Sequence, residues 1–330
     1  MNVLKDLKPL VKSFENTPHI SLAAGPNKNP AALGLSLDAY ALKDKPELLD
    51  SIRILSNSFK GFDVYQSLLN EISLVKDWVP LKEPILGKLS LKEEAAGKVR
   101  VFAIIDSWTQ SSLTGLHKSL GHILYGIEQD GTFDQSKPLY NLMNKKLNNL
   151  YSFDLSAATD RLPIRLQTHI LSFLYGKDVA KAWTELVSNR DFYLKSEKFR
   201  IDSSIRYAVG QPMGCLSSFN MLGLTHHVIV QIAARRVGFQ QWFTDYALLG
   251  DDIVIGNSLV AESYKNIMFI LGLDINPSKS LVSVKGVCEF AKRLVSHQGE
   301  YSPIGPRNIV QAMKTWTMVP SLFIDLMGKG

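Results

Sequence analysis

The segment Leu248-Leu249-Gly250-Asp251-Asp252-Ile253-Val254-Ile255 constrains this chain more than any other. Apolar runs flank a Gly-Asp turn, so residues 245–257 read as strand, tight turn, strand. Two adjacent carboxylates at such a tip repel one another. A divalent cation removes that cost, and Mg²⁺ takes hard oxygen ligands, only a few of them from protein. The bland alternative is a plain hairpin, because Asp and Gly are both common turn residues. Asp154 sharpens the choice. It follows Tyr151-Ser152-Phe153 at the end of a strand predicted over 150–155. Neighbouring antiparallel strands would set Asp154 beside Asp251, and the two carboxylates would then bridge two ions about 3.5–4 Å apart, the spacing used for in-line phosphoryl displacement. Asp154, Asp251 and Asp252 are the candidate metal ligands and catalytic carboxylates.

The remaining pattern mixes helices with antiparallel strands, which predicts an α+β fold. Residues 1–24 read as a short amphipathic helix and an irregular segment, followed by a turn at Gly25-Pro26-Asn27. Helical spacing runs through 37–78 until Pro80 and Pro84. A strand is expected at 98–105, a helix at 108–127 and a turn at Asp130-Gly131. Further helices are expected at 163–175 and 181–190, with extended pieces over 191–209. An apolar helix should run from Ser217 to Val237, another should cover 261–271, and a hairpin should span 280–296.

The formal net charge of +6 and pI of about 9.1 suit a polyanionic partner or simple solubility. Two cysteines, Cys215 and Cys288, make neither a disulfide framework nor a four-ligand zinc site. No apolar run approaches the roughly 18 residues of a membrane span. The first residues carry Lys5, Lys8 and Lys12 but also Asp6 and Glu15, which reads as an ordinary helix rather than a targeting segment.

Other residues carry two readings each. Asp160 either caps the helix that starts near Pro163 or accepts a hydrogen bond from a ribose hydroxyl. The loop Gly210-Gln211-Pro212-Met213-Gly214 and the hydroxyls Ser217 and Ser218 precede the long helix, whose N-terminus can face phosphates or simply be capped. Lys92, Lys98 and Arg100 either neutralise a triphosphate or line a solvated strand. Lys279, after Asn276-Pro277, is either an acid for pyrophosphate release or an exposed lysine. His226 with His227, and His117 with His122, have spacings that suit packing better than a shared metal. Trp108 and Phe153 read as core.

Six strings occur in collinear order. They are Leu86-Gly87-Lys88-Leu89-Ser90-Leu91-Lys92-Glu93-Glu94-Ala95-Ala96-Gly97-Lys98-Val99-Arg100, Asp130-Gly131-Thr132-Phe133-Asp134-Gln135, Asp154 to Arg161, Gly210 to Gly214, Gly250-Asp251-Asp252, and Glu289-Phe290-Ala291-Lys292-Arg293. Together, from about Gly25 to Pro306, they resemble the RNA-dependent RNA polymerases of mitoviruses. The resemblance implies a right-hand polymerase fold, with helical fingers, an antiparallel palm sheet and a thumb mostly missing. It implies an N-terminal region and fingers over 1–147, palm over 148–162, an insertion over 163–206, palm over 207–296 and the start of a thumb over 297–330.

The resemblance also implies template-directed RNA synthesis from ribonucleoside triphosphates, with two Mg²⁺ or Mn²⁺ ions and with RNA template and product as partners. The implied roles are metal binding for Asp154, Asp251 and Asp252, and proton donation for Lys279. Substrate contacts fall to Lys98, Arg100, Asp160, Gly214, Ser217 and Ser218, and RNA contacts to Lys88, Lys92 and Arg293. A mitochondrial location follows from the family. Two departures stand out: Asn220 replaces an expected proline, with Leu222 where related polymerases carry a ribose-reading asparagine, and the chain is expected to stop soon after the palm. The rival readings are a reverse transcriptase and a silent, host-integrated copy that binds RNA.

Overall fold

The computed structural model describes residues 2–94, 97–303 and 305–327; Ala95 and Ala96, inside the first of the six strings, lie outside the described residues. Among the described residues the strands in chain order are β1 (Gly87–Glu93), β2 (Val99–Ile105), β3 (Leu150–Asp154), β4 (Phe192–Ser196), β5 (Ile201–Ile205), β6 (Tyr246–Leu249), β7 (Asp252–Ile255), β8 (Leu281–Ser283), β9 (Val287–Phe290), β10 (Arg293–Ser296) and β11 (Gly299–Glu300). Two compact units divide the chain: residues 1–126 with 157–228, and residues 127–156 with 229–330.

In the first unit the strands form a four-stranded sheet in the order β2-β1-β4-β5. β1 and β2 pair antiparallel with Lys92 opposite Arg100 and Lys88 opposite Ile104, and Lys88 also pairs with Tyr193 of β4. Alternation therefore puts Lys88, Lys92 and Arg100 on one face of the sheet and Leu89, Leu91, Ala103 and Ile105 on the other. The helical stretch expected over 37–78 is three helices, Leu35–Leu42, Pro46–Ser58 and Val64–Val75. Pro46 opens the second, and Asp63 caps the third by accepting from Gln66 N–H.

A buried charge cluster ties this unit together. Asp106 caps the helix Ser107–Ser112 by accepting from Thr109 N–H, and it pairs with Arg190 at 2.5 Å with both side chains fully enclosed. Arg190 also donates to Leu86 O and Thr109 Oγ1. Asp38 accepts from Asn27 and from Ser107 N–H. Burial first, and then the neighbouring Asp106, push the Asp38 carboxyl up to about 7.

In the second unit a four-stranded sheet runs β6-β7-β3-β8 and a three-stranded sheet runs β11-β10-β9. Leu150, Ala247 and Val254 on one face of the larger sheet pack with Leu139, Leu142 and Met143 of the helix Ser136–Met143 and with Cys288, Phe290 and Val295 of the smaller sheet. On the other face Phe153 stacks on Tyr264 of the helix Ser258–Ile270, with ring centroids 5.7 Å apart. This central position explains why β3 and β7 read as near-continuous apolar runs.

Two local expectations change. Asp130-Gly131 is not a free turn but bridges Leu248: Leu248 N–H donates to Gln129 O at 2.9 Å and Gly131 N–H to Leu248 O at 2.8 Å. This segment satisfies backbone groups at the edge of β6 that would otherwise be orphaned. The hairpin expected over 280–296 is β9–β10 alone, because β8 pairs with β3 instead.

The helix Ser218–Arg236 begins in the first unit and ends in the second. His226 and His227 within it are buried, as packing residues should be. No described helix is long and apolar enough to cross a membrane.

Candidate functional site

The β3–β7 register sets Asp154 directly opposite Asp252. In antiparallel strands such partners share one face, where like charges oppose each other. Asp251 sits in the turn between β6 and β7, after Gly250 in the left-handed region at φ 59°. Burial first, then the Asp251 and Asp154 carboxylates, push the Asp252 carboxyl up to about 6; Glu289 adds to the rise and Lys279 opposes it.

Lys279 reaches this group through backbone pairing. Ser156 N–H donates to Asp274 O and Asn276 N–H to Asp154 O, both at 2.9 Å, so residues 274–276 continue alongside the end of β3. The short 3-10 turn Pro277–Lys279, capped by Asn276, then carries Lys279 Nζ to 3.1 Å from Asp154 Oδ2. Glu289 joins from β9, which Ser152 Oγ anchors by accepting the Glu289 N–H at 3.0 Å. Reasoning from the sequence gave Glu289 no role of its own; its only signal was its place in the last of the six strings.

A divalent ion suits this donor set chemically: the side chains are hard oxygen donors of like charge. Among the described residues no three His, Cys, Asp or Glu side chains converge closely enough to hold a metal ion as they stand. The ammonium of Lys279 rests on Asp154 and supplies the positive charge there.

The other predicted residues, Arg293 excepted, belong to the first unit. Asp160 lies on the short helix Ala158–Arg161 and caps nothing: the helix Ile164–Tyr175 starts at Pro163 with no side-chain cap. Burial pushes its carboxyl above the usual range, and the nearby Tyr207 and Arg161 oppose that rise. The glycine loop lies against this helix. A Cβ on Gly210 would fall 2.3 Å from Thr159 O, and one on Gly214, at φ 122°, would fall 2.1 Å from Ala103 O of β2. Both positions exclude side chains.

Ser217 is fully buried and its Oγ accepts from Trp183 Nε1 at 2.8 Å, so its hydroxyl serves the core. Ser218 is also buried, its carbonyl accepting from Gln211 Nε2 at 3.0 Å. Asn220 donates to His117 O at 3.0 Å, and Leu222 is buried. Lys92 and Lys98 are exposed. Arg100 pairs with Glu94 at 2.7 Å, and that hydrogen bond first of all holds the Glu94 carboxyl below its usual range. Arg293, in the second unit, is committed to Glu300 at 2.5 Å, Ser136 Oγ at 2.8 Å and the Tyr140 hydroxyl at 3.0 Å.

Residues 11–330 match the family described as Mitovirus RNA-dependent RNA polymerase. The chain belongs to this mitovirus polymerase family. It is 41% identical over 288 residues to the RNA-directed RNA polymerase of Cryphonectria parasitica mitovirus 1, a match covering 83% of this chain and 34% of that protein. The chain thus spans about a third of the length of that mitoviral relative. Two uncharacterized mitochondrial proteins of Arabidopsis thaliana also match. One is 37% identical over 195 residues, covering 58% of this chain and 77% of its own length; the other is 32% identical over 164 residues, covering 48% and 78%. Among solved structures the RNA-dependent RNA polymerase of a human picobirnavirus shares the fold, with a TM-score of 0.51 at 17% identity over 64% of this chain and 43% of that one. This mitovirus-family chain is therefore an α+β protein with a polymerase fold.

Proposed function

We propose that the chain is the catalytic core of an RNA-directed RNA polymerase. It joins ribonucleoside triphosphates on an RNA template and releases pyrophosphate. The observation that carries this reading is the cross-strand pair Asp154–Asp252 beside the Asp251 turn. A hairpin with only a structural role would gain nothing from opposing carboxylates.

Asp154, Asp251 and Asp252 would hold divalent ions, Mg²⁺ or Mn²⁺. What two such ions supply when bound is activation of the attacking hydroxyl and neutralisation of the leaving pyrophosphate. The 3′-hydroxyl of the product strand loses its proton to solvent, its oxygen bonds to the α-phosphorus, and the bond from that phosphorus to the bridging oxygen breaks. Lys279 gives up its contact with Asp154 and protonates the departing pyrophosphate oxygen. In the other unit we assign Asp160 to the ribose 2′-hydroxyl and Lys98 and Arg100 to the triphosphate. Lys88 and Lys92, on the same face as Arg100, are assigned to RNA phosphates. The same proposal includes the division into fingers, palm and thumb and a mitochondrial site of action, which the plant mitochondrial relatives support.

The test is primer extension by purified protein with Mn²⁺ or Mg²⁺, comparing wild type with Asp154→Ala and Asp251→Ala. Template-dependent extension with NTPs, abolished in both variants while circular dichroism stays unchanged, is the expected result. Wild-type-like extension by either variant would refute the assignment. Preference for dNTPs would favour a reverse transcriptase instead.

A further inference from the structure

We propose that the open face of the sheet β2-β1-β4-β5 is a platform for single-stranded RNA, on which a base stacks against Tyr193 between phosphate contacts to Lys88 and Lys195. This rests on the assignment of Lys88 and Lys92 to RNA phosphates made above. It adds the β4–β5 ribbon, which no motif in the sequence singles out, and it names the form of the RNA.

The register fixes the layout. Lys88 of β1 pairs with Ile104 of β2 and with Tyr193 of β4, and Tyr193 pairs with Ser204 of β5. These side chains form one row across the whole sheet, about 14 Å from the first strand to the last. Alternation then places Lys195, opposite Asp202 of β5, on the same face as Lys92 and Arg100. Phe102, opposite Ser90, shares that face.

The two faces differ in what covers them. On the far face Leu89, Ala103, Ile105, Phe192 and Leu194 are buried. On the near face none of Lys88, Lys92, Arg100, Phe102, Tyr193 and Lys195 is buried. Among the described residues paired on this face, only Asp202 carries a carboxylate. Cations that alternate with aromatic rings suit a strand that offers both phosphates and bases. A duplex keeps its bases stacked on one another and could not use the rings.

Tyr193 is held as a platform. Its hydroxyl donates to Asp202 Oδ1 at 2.5 Å, which ties the ring to the neighbouring strand. Lys195 lies 3.7 Å from Asp202 Oδ2 and both side chains are well exposed, so that pair is loose and screened by solvent. A phosphate can take Lys195 from it at little cost. Lys198, in the turn after β4, pairs with Glu93 at the end of β1 and joins the two ribbons.

The experiment is equilibrium binding of the full chain to a labelled single-stranded oligoribonucleotide, to an abasic strand of ribose and phosphate only, and to the matching duplex, each across a salt series. Tyr193→Leu should weaken binding of the normal strand by about 5- to 100-fold, the worth of one stacked base, and leave the abasic strand unaffected. Lys195→Gln should weaken both strands and lower the salt slope of log affinity by about 0.7. Asp202→Asn removes the competing charge but keeps an acceptor for the tyrosine, so it should tighten both. The duplex should bind more weakly than the single strand at every salt concentration. Binding lowered by Lys88→Gln but by neither Tyr193→Leu nor Lys195→Gln would overturn the proposal and leave this part of the face to another partner, such as a protein. Equal losses on the normal and abasic strands in Tyr193→Leu, with a lower melting temperature, would make the tyrosine structural and overturn it too. Duplex binding as tight as single-strand binding would remove the stacking role. A wild-type chain that binds no RNA would instead refute the reading of Lys88 and Lys92 on which the proposal rests.

Discussion

Each unit contains a cluster of carboxylates facing a single cation, and the two clusters solve their electrostatics in opposite ways. In the first unit Asp38 and Asp106 are enclosed with Arg190, whose fork bonds Asp106, Thr109 and a main-chain oxygen at once. The planar guanidinium fits fixed acceptors, and Asp38 carries its proton up to about 7. In the second unit Asp154, Asp251 and Asp252 stand at the end of a sheet, and the cation is the half-exposed Lys279 at the end of a flexible stem. The first arrangement closes a fold. The second leaves carboxylates whose mutual repulsion a mobile cation can relieve and a ligand can exploit.

Breaking the first cluster should have the largest effect on the protein as a whole. Arg190→Met strands buried carboxylates and should destabilise the chain by about 3–5 kcal/mol in urea unfolding. A cost below about 1 kcal/mol would mean that the guanidinium does not hold the cluster. Breaking the second cluster should instead cost rate and leave the fold. Lys279→Leu should slow single-turnover nucleotide addition by about 10²–10⁴-fold with little change in nucleotide affinity. Equal rates would remove Lys279 from proton transfer.

The pH dependence sharpens the contrast. The Asp252 carboxyl titrates higher in the fold than in the unfolded chain, near 6 against the usual 3.8. Its contribution to stability is therefore full below about 4 and is lost as pH rises through 6. Asp252→Asn should stabilise the metal-free protein at pH 7 by about 1 kcal/mol, a figure reduced for solvent screening, and should be neutral at pH 4. No difference between the two pH values would mean that the carboxylates do not burden one another. The smallest effect belongs to the basic sheet: replacing Lys88 or Lys92 by Gln should lower the salt slope of log affinity for single-stranded RNA by about 0.7 each. Unchanged slopes would place the RNA elsewhere.

How much of this was legible in the sequence depends on the range of the interactions. β3, the β6–β7 hairpin and the long helix Ser218–Arg236 follow from local runs of apolar residues; the register between β3 and β7, which sets Asp154 opposite Asp252 where Asp251 was expected, does not. β1 was legible in principle, since Lys88, Ser90 and Lys92 alternate with Leu89 and Leu91 as in a half-buried strand. The commitments of single polar side chains were also hidden. Ser217 serving Trp183 and Arg293 spent on Glu300 depend on partners 34 and 7 residues away in the chain. Of the two readings of Asp160, helix capping is removed by the uncapped start of the helix Ile164–Tyr175.

The central claim is that the second cluster is built to take divalent cations where the first is not. Equilibrium Mn²⁺ binding, followed by the loss of the free-ion EPR signal at pH 7 in the presence of a ribonucleoside triphosphate, tests it directly. The account predicts two bound ions in the wild-type protein, fewer in Asp154→Asn and Asp251→Asn, and no change in Asp38→Asn. Wild-type stoichiometry in Asp154→Asn and Asp251→Asn would contradict it.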